Sequence, residues 1–187
     1  MNSPVTVRRL TGSEAASAVD GLADVLIDCV EGGASVSFML PLERETAVAF
    51  WRGVSDGVAR DERILLIAED DSGQLLGTVQ LIVAQPENQP HRADVAKLLV
   101  RRSARQRGIA QRLMAAVDDA ARGAGKTVLV LDTQTGGTAE RLYLRAGWQR
   151  VGVIPDYALM PDGAMCATTF FYRTLAVPAP NESDVLV

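Results

Sequence analysis

The hydrophobic positions of this chain recur at helical spacing in some segments and form short continuous runs in others. The helical spacing predicts four helices, over Glu14–Val30, Leu42–Ala59, Gly108–Gly123 and Thr138–Ala146. The short runs predict seven strands, over Val5–Leu10, Ile64–Glu69, Leu75–Val83, Ala93–Val100, Thr127–Leu131, Trp148–Ile154 and Met165–Leu175. Elements in this order are typical of an α/β or α+β sheet with helices on its faces.

Residues with turn and capping preferences mark the ends of these segments. Ser13 is a candidate cap for the first helix, and Gly32-Gly33 end it. Pro41 suits the first turn of the second helix. Asp70–Gly73 predicts a hairpin turn, and Pro155–Gly163 predicts a loop between the last two strands.

Length and composition favour one domain, since the chain has 187 residues of which 48% are hydrophobic. We expect the domain to cover residues 1–175, with a C-terminal tail over 176–187. A net charge of −4 argues against general binding of nucleic acid. The sequence has neither a secretory apolar region nor a membrane-spanning run, so we expect a cytoplasmic protein without a membrane partner. Cys29 and Cys166 are expected to be free thiols.

Arginines cluster between Arg101 and Arg112, where a predicted strand gives way to a helix. The start of a helix offers an anion free backbone N–H groups and the positive end of the helix dipole. Within the cluster, the string Arg105–Ala110 contains Gly108, whose missing Cβ would let an anion approach the backbone. The string alone fits a solvated basic turn as well as an anion site. Its place between two strands, at the start of a helix, favours a site for a diphosphate.

Other phosphate and catalytic motifs are missing from the sequence. There is no G-x-x-x-x-G-K-[ST] string and no G-x-G-x-x-G after a strand, which argues against a P-loop and a dinucleotide-binding Rossmann unit. His91 is the only histidine and lies in a proline-bearing loop, so neither a zinc site nor a Ser-His-Asp arrangement is expected.

Two further patterns, taken together, match one enzyme superfamily. Arg105–Ala110 matches Q/R-x-x-G-x-G/A, and the strand Lys97–Val100 precedes it. Ala139–Trp148 matches A-x-x-x-Y-x-x-x-G-[FWY]. In this combination, the chain from about Val5 to Leu175 resembles the GNAT superfamily of N-acetyltransferases. The resemblance implies a mixed central sheet of six to seven strands flanked by about four helices. Three strings carry a closer similarity to the tabtoxin resistance protein group: Gly32–Met39, Leu131–Thr133 and Pro155–Gly163.

The resemblance implies that acetyl-CoA is the cosubstrate and that no metal is needed. The amides that would hold its pyrophosphate belong to Arg105, Gln106, Arg107, Gly108, Ile109 and Ala110. The pantetheine arm would bond to the backbone at Leu99 and Val100, and the Leu99 N–H would stabilise an oxyanion. Gly136 and Ala139 complete the expected coenzyme contacts. Many members carry asparagine where this chain has Gly136, which leaves only backbone contacts there.

Tyr143 and Asp132 are the leading candidates for proton transfer, and Glu31, Glu69 and Asp94 are weaker candidates for the base. In the family, the tyrosine matched by Tyr143 points at the coenzyme sulfur, which implies a general acid; the alternative is a ring packed on the sheet. Asp132 ends a buried apolar run, where strand ends line ligand crevices. It is a candidate base or amine-orienting group, and capping of the next turn is the alternative. A base matters more for a lysine-like amine, which costs about 4.6 kcal/mol to deprotonate at pH 7, than for an α-amino group at about 1.4 kcal/mol.

The apolar loop Ala34–Pro41 either covers the core or walls a pocket. Substrate contacts are expected from Gly33, Ser35, Phe38, Asp156 and Tyr157.

The leading hypothesis is a small-molecule N-acetyltransferase that works by direct attack in a ternary complex. Its substrate would be amino-acid-like or a β-lactam toxin or antibiotic, and its role a form of resistance. The alternatives are a protein or peptide amine acetyltransferase and a CoA-binding regulatory module without catalysis. A homodimer is expected only because small α/β enzymes often form one.

Overall fold

The computed structural model describes residues 4–176, and these form one seven-stranded sheet with helices on both faces. The strands are β1 (Val5–Arg9), β2 (Arg63–Asp70), β3 (Leu75–Ile82), β4 (Arg92–Val100), β5 (Val128–Gln134), β6 (Gln149–Leu159) and β7 (Met165–Thr174). The helices are α1 (Gly12–Ser17), α2 (Val19–Glu31), α3 (Arg44–Ala59), α4 (Ile109–Gly123) and α5 (Thr138–Arg145). The predicted tail lies outside the described residues, apart from Ala176.

The sheet has the order β1-β2-β3-β4-β5-β7-β6. All neighbouring strands are antiparallel except β4 and β5, which run parallel. This mixed sheet confirms the fold class that the sequence predicted.

Alternation along β2 explains how the sheet carries two cores. Ile64, Leu66 and Ala68 face the helices α4 and α5 and belong to one buried cluster. Leu65 and Ile67 face the other way and join the cluster formed with α1, α2 and α3. A strand buried on both faces reads as a continuous apolar run, which is the pattern of β2.

The parallel pair at the centre of the sheet is short, and its shortness creates the site. β4 and β5 pair only over Arg92–Asp94 and Val128–Val130. Beyond these residues β5 continues against β7, while β4 continues against β3. From Val95 onward, the edge of β4 that faces β5 therefore has no strand partner among the described residues, and the two strands separate around a cavity.

The first predicted helix differs from the observed one at its start and in its middle. Thr11, not Ser13, caps it: the Thr11 hydroxyl accepts from the Glu14 N–H at 3.3 Å, and the Glu14 carboxylate accepts from the Thr11 N–H at 2.8 Å. The helix then breaks at Ala18 into α1 and α2. Both α1 and α2 pack against α3, and α2 also contacts β3 and β4 of the sheet.

Two other boundaries were also wrong. α3 begins at Arg44, not near Pro41, because the Leu40 N–H bonds to the Pro161 carbonyl and keeps this segment in the loop. β6 runs into the predicted Pro155–Gly163 loop and ends at Leu159, with a bulge between Ile154 and Ala158. An edge strand tolerates the proline there because its outer N–H positions need no partner.

Candidate active site

The cavity between β4 and β5 has a volume of about 1040 Å³. The end of β4, the turn before α4, the end of β5, the start of α5 and the loop after α2 all contribute to its wall. The predicted site residues that line it are Gly33, Ser35, Phe38, Leu99, Val100, Arg105, Gln106, Gly108, Ile109, Ala110, Asp132, Ala139, Tyr143 and Tyr157. Three predicted residues do not line it: Arg107, Gly136 and Asp156.

The start of α4 lines the cavity and is the candidate anion cradle. Gln106 and Gly108 both have left-handed backbone conformations, with φ of 62° and 73°. No side chain caps this helix end, and the Arg112 N–H makes the first bond, to the Gly108 carbonyl. The N–H groups of the first turn are therefore available to a ligand. A Cβ on Gly108 would meet no protein atom within 4 Å, so the glycine is required by its backbone conformation and not by a neighbouring protein atom.

Of the two arginines expected at the rim, only Arg105 faces the cavity. Its Nε donates to the Val100 carbonyl at 3.3 Å, which also accepts from the Cys29 thiol at 3.4 Å. Burial raises the pKa of the Cys29 thiol despite the nearby guanidinium, so this free thiol stays protonated. The charge of Arg107 acts instead on Asp70 in the hairpin turn between β2 and β3.

An ion pair that the sequence analysis missed holds the turn before the cradle. The Asp28 carboxylate in α2 accepts from the Arg102 N–H at 2.7 Å and from the Arg102 Nε at 2.9 Å. Burial opposes ionisation of Asp28, but these bonds outweigh it and hold its pKa below the ordinary value. The contact ties α2 and the loop that follows it to the strand–helix turn.

A β-bulge shapes β4 beside the cavity. Thr78 pairs with Leu99 and Gln80 with Ala96, so β4 holds one more residue than β3 between these pairs. Lys97 lies in the bulge, with φ of 55°. The bulge also reverses which face the side chains occupy, since Val95 packs on the α4 side and Leu99 on the α1–α3 side.

Tyr143 lines the cavity from α5. Its ring is 6% exposed and packs against Trp148 and Phe171, both with centroids 6.0 Å away. Tyr143 borders the cavity, and its hydroxyl has no hydrogen-bond partner among the described residues. Burial, with a contribution from the charge of Asp132, raises the pKa of Tyr143 well above the usual tyrosine range. The phenol is therefore protonated at neutral pH, as a general acid must be.

Asp132 borders the cavity from the opposite strand. Asp132 was predicted at a strand end, but β5 continues to Gln134, and Asp132 pairs with Phe170 of β7. Its side chain is accessible from the cavity, but the surrounding protein removes part of its hydration. This desolvation raises the pKa of Asp132, and the charge of Lys97 opposes the shift. A carboxylate with a raised pKa is a better proton acceptor at neutral pH than an ordinary aspartate.

Lys97 and Arg145 are charged residues of the cavity lining that were not among the predicted site residues, and Lys97 contacts the loop after α2. Its Nζ lies 3.3 Å from the Ser37 hydroxyl and 5.5 Å and 6.0 Å from the ring centroids of Phe50 and Phe38. A single charge within an otherwise apolar run, Val95–Val100, was the signal that could have identified it.

The loop after α2, residues 32–43, is hydrogen-bonded to the end of β6 and to the turn between β6 and β7. The Ser35 hydroxyl donates to the Leu159 carbonyl at 3.2 Å, and the Leu40 N–H donates to the Pro161 carbonyl at 2.9 Å. Tyr157, on the same end of β6, also lines the cavity and packs edge-on against Phe170 at 5.4 Å. The loop therefore walls a pocket in addition to covering the core.

Gly136 and Asp156 lie close to the cavity wall without lining it. The Gly136 N–H donates to the Glu140 carboxylate, and its neighbour Gly137 borders the cavity instead. Asp156 lies in the β6 bulge with φ of 49°. Within residues 4–176, no group of three or more His, Cys, Asp or Glu side chains could hold a metal ion, and no helix is long and apolar enough to cross a membrane.

Comparison with known proteins identifies the family. The model of the acetyltransferase (GNAT) family matches residues 34–148, which is more than half of the chain. The chain belongs to the GNAT acetyltransferase family. An uncharacterized N-acetyltransferase encoded in the hisH-hisA intergenic region of Azospirillum brasilense is 34% identical over 132 residues, covering 70% of this chain and 76% of that protein.

Solved structures share the fold of this GNAT protein. An N-acetyltransferase from Staphylococcus aureus Mu50 superposes with a TM-score of 0.76 at 17% identity, covering 93% of this chain and all of that one. The putative acetyltransferase yncA from Salmonella typhimurium, solved with acetyl-CoA, superposes with a TM-score of 0.73 at 17% identity, covering 97% and 99% of the two chains.

The cavity of this GNAT enzyme fits the acetyl-CoA that the family uses as its acetyl donor. The uncapped amides at the start of α4 suit the pyrophosphate, and the unpaired edge of β4 suits the pantetheine arm. Membership of the family confirms the predicted acetyl-CoA-dependent N-acetyltransferase and its cosubstrate.

Proposed function

We propose that this enzyme acetylates the amine of a small molecule, by direct attack on acetyl-CoA in a ternary complex. The observation that carries the proposal is the wall formed by the loop after α2. Two hydrogen bonds, from Ser35 to Leu159 and from Leu40 to Pro161, hold this loop against the β6–β7 end of the sheet. The acceptor side of the cavity is thus bounded, which suits a small amine better than an extended peptide.

Asp132 and Tyr143 would divide the proton transfers between them. When bound, acetyl-CoA supplies a thioester whose carbonyl carbon an unprotonated amine can attack. The Asp132 carboxylate accepts the proton that the amine loses as the C–N bond forms. The Tyr143 hydroxyl donates its proton to the sulfur as the C–S bond breaks. A fixed N–H at Leu99 would stabilise the charge that develops on the carbonyl oxygen.

The proposed substrate is amino-acid-like. The similarity of Gly32–Met39 and Pro155–Gly163 to the tabtoxin resistance protein group supports this proposal, because members of that group acetylate a β-lactam amino acid toxin. Resistance to a toxin or antibiotic, action as a single domain over residues 1–175 and a cytoplasmic location remain predictions of the same proposal.

A thiol-release assay with acetyl-CoA tests the proposal against a panel of amino acids, β-lactam amino acids, aminoglycosides and peptides. We expect release with one class of small amine and little with peptides. Release with peptides alone would establish the rival protein acetyltransferase. Binding of acetyl-CoA without release on any amine would favour the regulatory module.

A further inference from the structure

Lys97 is a cation in the acceptor half of the cavity, which we define as the part walled by the loop after α2. Within residues 4–176, no carboxylate is in contact with its ammonium group. Among the described residues, its only hydrogen bond is to the Ser37 hydroxyl, at 3.3 Å. The rings of Phe38 and Phe50, themselves in edge-on contact at 5.2 Å, lie beneath its ammonium group. Burial lowers the pKa of Lys97, and the charge of Asp132 offsets this effect only in part.

The groups around Lys97 come from four elements. Asp132 of β5 lines the same cavity and acts on Lys97 electrostatically without a direct salt bridge. Arg63 of β2 opposes its charge, but its own guanidinium donates to Gln80 at 2.6 Å. Ser37 and Phe38 come from the loop after α2, and Phe50 comes from α3. Lys97 and Asp132 thus bring one positive and one negative side chain to the two strands, β4 and β5, that border the cavity.

Such a pair matches a molecule that carries both charges. An α-amino acid holds its carboxylate and its amine on one carbon, and a cavity that bonded only the amine would leave the Lys97 charge poorly compensated. The left-handed backbone of Lys97 places the side chain within the bulge that also brings Leu99 to the cavity. Backbone strain of this kind costs about 1–2 kcal/mol and persists where the surroundings hold it in place.

We propose that Lys97 binds the carboxylate of the substrate, assisted by the Ser37 hydroxyl, while Asp132 receives its amine. The inference rests on the proposed small-molecule function and narrows it to amines that also carry a carboxylate. Lys97 thereby selects amino acids and their analogues over amines of similar shape that lack the acid group.

The first experiment uses the unaltered enzyme. Each amino acid acetylated in the thiol-release assay is compared with its amide and with the amine that lacks the carboxylate. We expect kcat/KM to favour the acid by about 10- to 100-fold, the range that one charge-assisted hydrogen bond supplies. The corresponding acid without the amine should inhibit competitively against the amino acid.

The second experiment compares Lys97→Met with Lys97→Arg. Methionine keeps a long side chain over the two rings and adopts the same backbone conformation at the same cost, so the charge is the main change. We expect Lys97→Met to reduce the ratio of kcat/KM for the acid over the amide by about 10- to 100-fold. Competitive inhibition by the acid without the amine should also be lost. Lys97→Arg should restore most of the ratio.

A matched control removes a cation elsewhere. Arg9→Met takes one positive charge from the exposed part of β1, outside the cavity lining, and should leave the ratio unchanged. Acetyl-CoA binding to each variant, measured by calorimetry, reports whether it is folded.

The outcomes separate this inference from the proposed function. Turnover of small amines with equal kcat/KM for acid and amide would overturn the carboxylate site while leaving the small-molecule acetyltransferase intact. Loss of rate by Lys97→Met to the same extent on acid, amide and carboxylate-free amine would also overturn it, because such a loss indicates a role toward the acetyl group. If Lys97→Met fails to fold, two measurements on the unaltered enzyme still test the carboxylate site. These are the comparison of each acid with its amide and the inhibition by the acid that lacks the amine.

Discussion

At the scale of single residues, Tyr143 offers the sharpest test of the chemistry. Tyr143→Phe keeps the ring between Trp148 and Phe171 and removes a hydroxyl that has no hydrogen-bond partner within residues 4–176. We expect kcat to fall by about 10²- to 10⁴-fold, the usual contribution of a positioned general acid, with little change in acetyl-CoA affinity. Steady-state kinetics and calorimetry measure the two effects.

Tyr172→Phe is the matched control, because the Tyr172 hydroxyl bonds to the exposed Gln149 and lies outside the cavity lining. An unchanged kcat in Tyr143→Phe would remove Tyr143 from the mechanism.

Asp132 carries a prediction about pH. Desolvation raises its pKa above the ordinary value of 3.8, and only the ionised form can accept a proton. As pH falls through the raised pKa, Asp132 becomes protonated and kcat/KM must fall. Asp132→Asn should lower kcat/KM by about 10²-fold or more at neutral pH and lose this acidic limb. The ionisation of the substrate amine affects both enzymes alike, so the difference between their pH profiles is the readout.

The raised pKa of Asp132 also affects stability: ionisation favours activity but disfavours the folded state. A carboxyl whose folded pKa is raised stabilises the fold below its unfolded pKa, and that contribution is lost as pH rises through the folded pKa. At pH 7 ionised Asp132 therefore destabilises the protein, and Asp132→Asn should raise Tm there while it lowers activity. Asp71→Asn, in the exposed hairpin turn, should change neither. A lowered Tm together with unchanged activity would show that Asp132 only caps its turn.

At the scale of elements, two glycines separate backbone strain from ligand binding. Gly108 before α4 and Gly73 in the β2–β3 turn both have left-handed φ, of 73° and 81°, and a Cβ added to either would meet no atom within 4 Å. Alanine at either position should cost about 1–2 kcal/mol of unfolding free energy through the backbone alone. Only Gly108→Ala should also raise the KM for acetyl-CoA, by about tenfold or more, because a methyl group beside the uncapped N–H groups of α4 would hinder the approach of the pyrophosphate.

Urea unfolding and acetyl-CoA titration of the two variants measure these effects. Equal acetyl-CoA affinity in Gly108→Ala and Gly73→Ala would mean that the start of α4 does not hold the pyrophosphate.

The elements were predictable from sequence where a local pattern decided them. The apolar run of β2 and the spacing of α4 predict these elements because burial on two faces or on one stripe leaves a distinct pattern. β6 was predicted too short because Pro155 indicates a loop, whereas its position at the sheet edge, which sequence does not give, permits a strand.

The sequence predicts those site residues whose position depends only on the order of strand, turn and helix along the chain. The residues of the string Arg105–Ala110 line the cavity as expected, except for Arg107. Lys97 was not predicted as a site residue because regular alternation along β4 would place it on the same face as Val95 and Leu99. The bulge in β4 breaks that alternation, and it depends on pairing with β3 that no local pattern reveals.

At the scale of the whole molecule, the sheet consists of two halves with a short junction. Among the described residues, the strand pairing between β1–β4 and the group β5, β7 and β6 is limited to Arg92–Asp94 with Val128–Val130. A ligand in the cavity contacts both halves, since its wall includes the end of β4 and the end of β5. Binding of acetyl-CoA should therefore stabilise the molecule as one unit.

We expect acetyl-CoA at 100 times its Kd to add about 2.7 kcal/mol of stability, or about 5–10 °C in Tm for a chain of this size. Hydrogen exchange should slow at the amides of Val95–Val100 and of β5 as well as at the start of α4, because the pantetheine arm occupies the unpaired edge. The adenosine and phosphate portion of coenzyme A, which lacks that arm, provides the control and should protect the start of α4 alone. Protection limited to the start of α4 with acetyl-CoA itself would contradict the bridging role, since the arm would then lie outside the gap between β4 and β5.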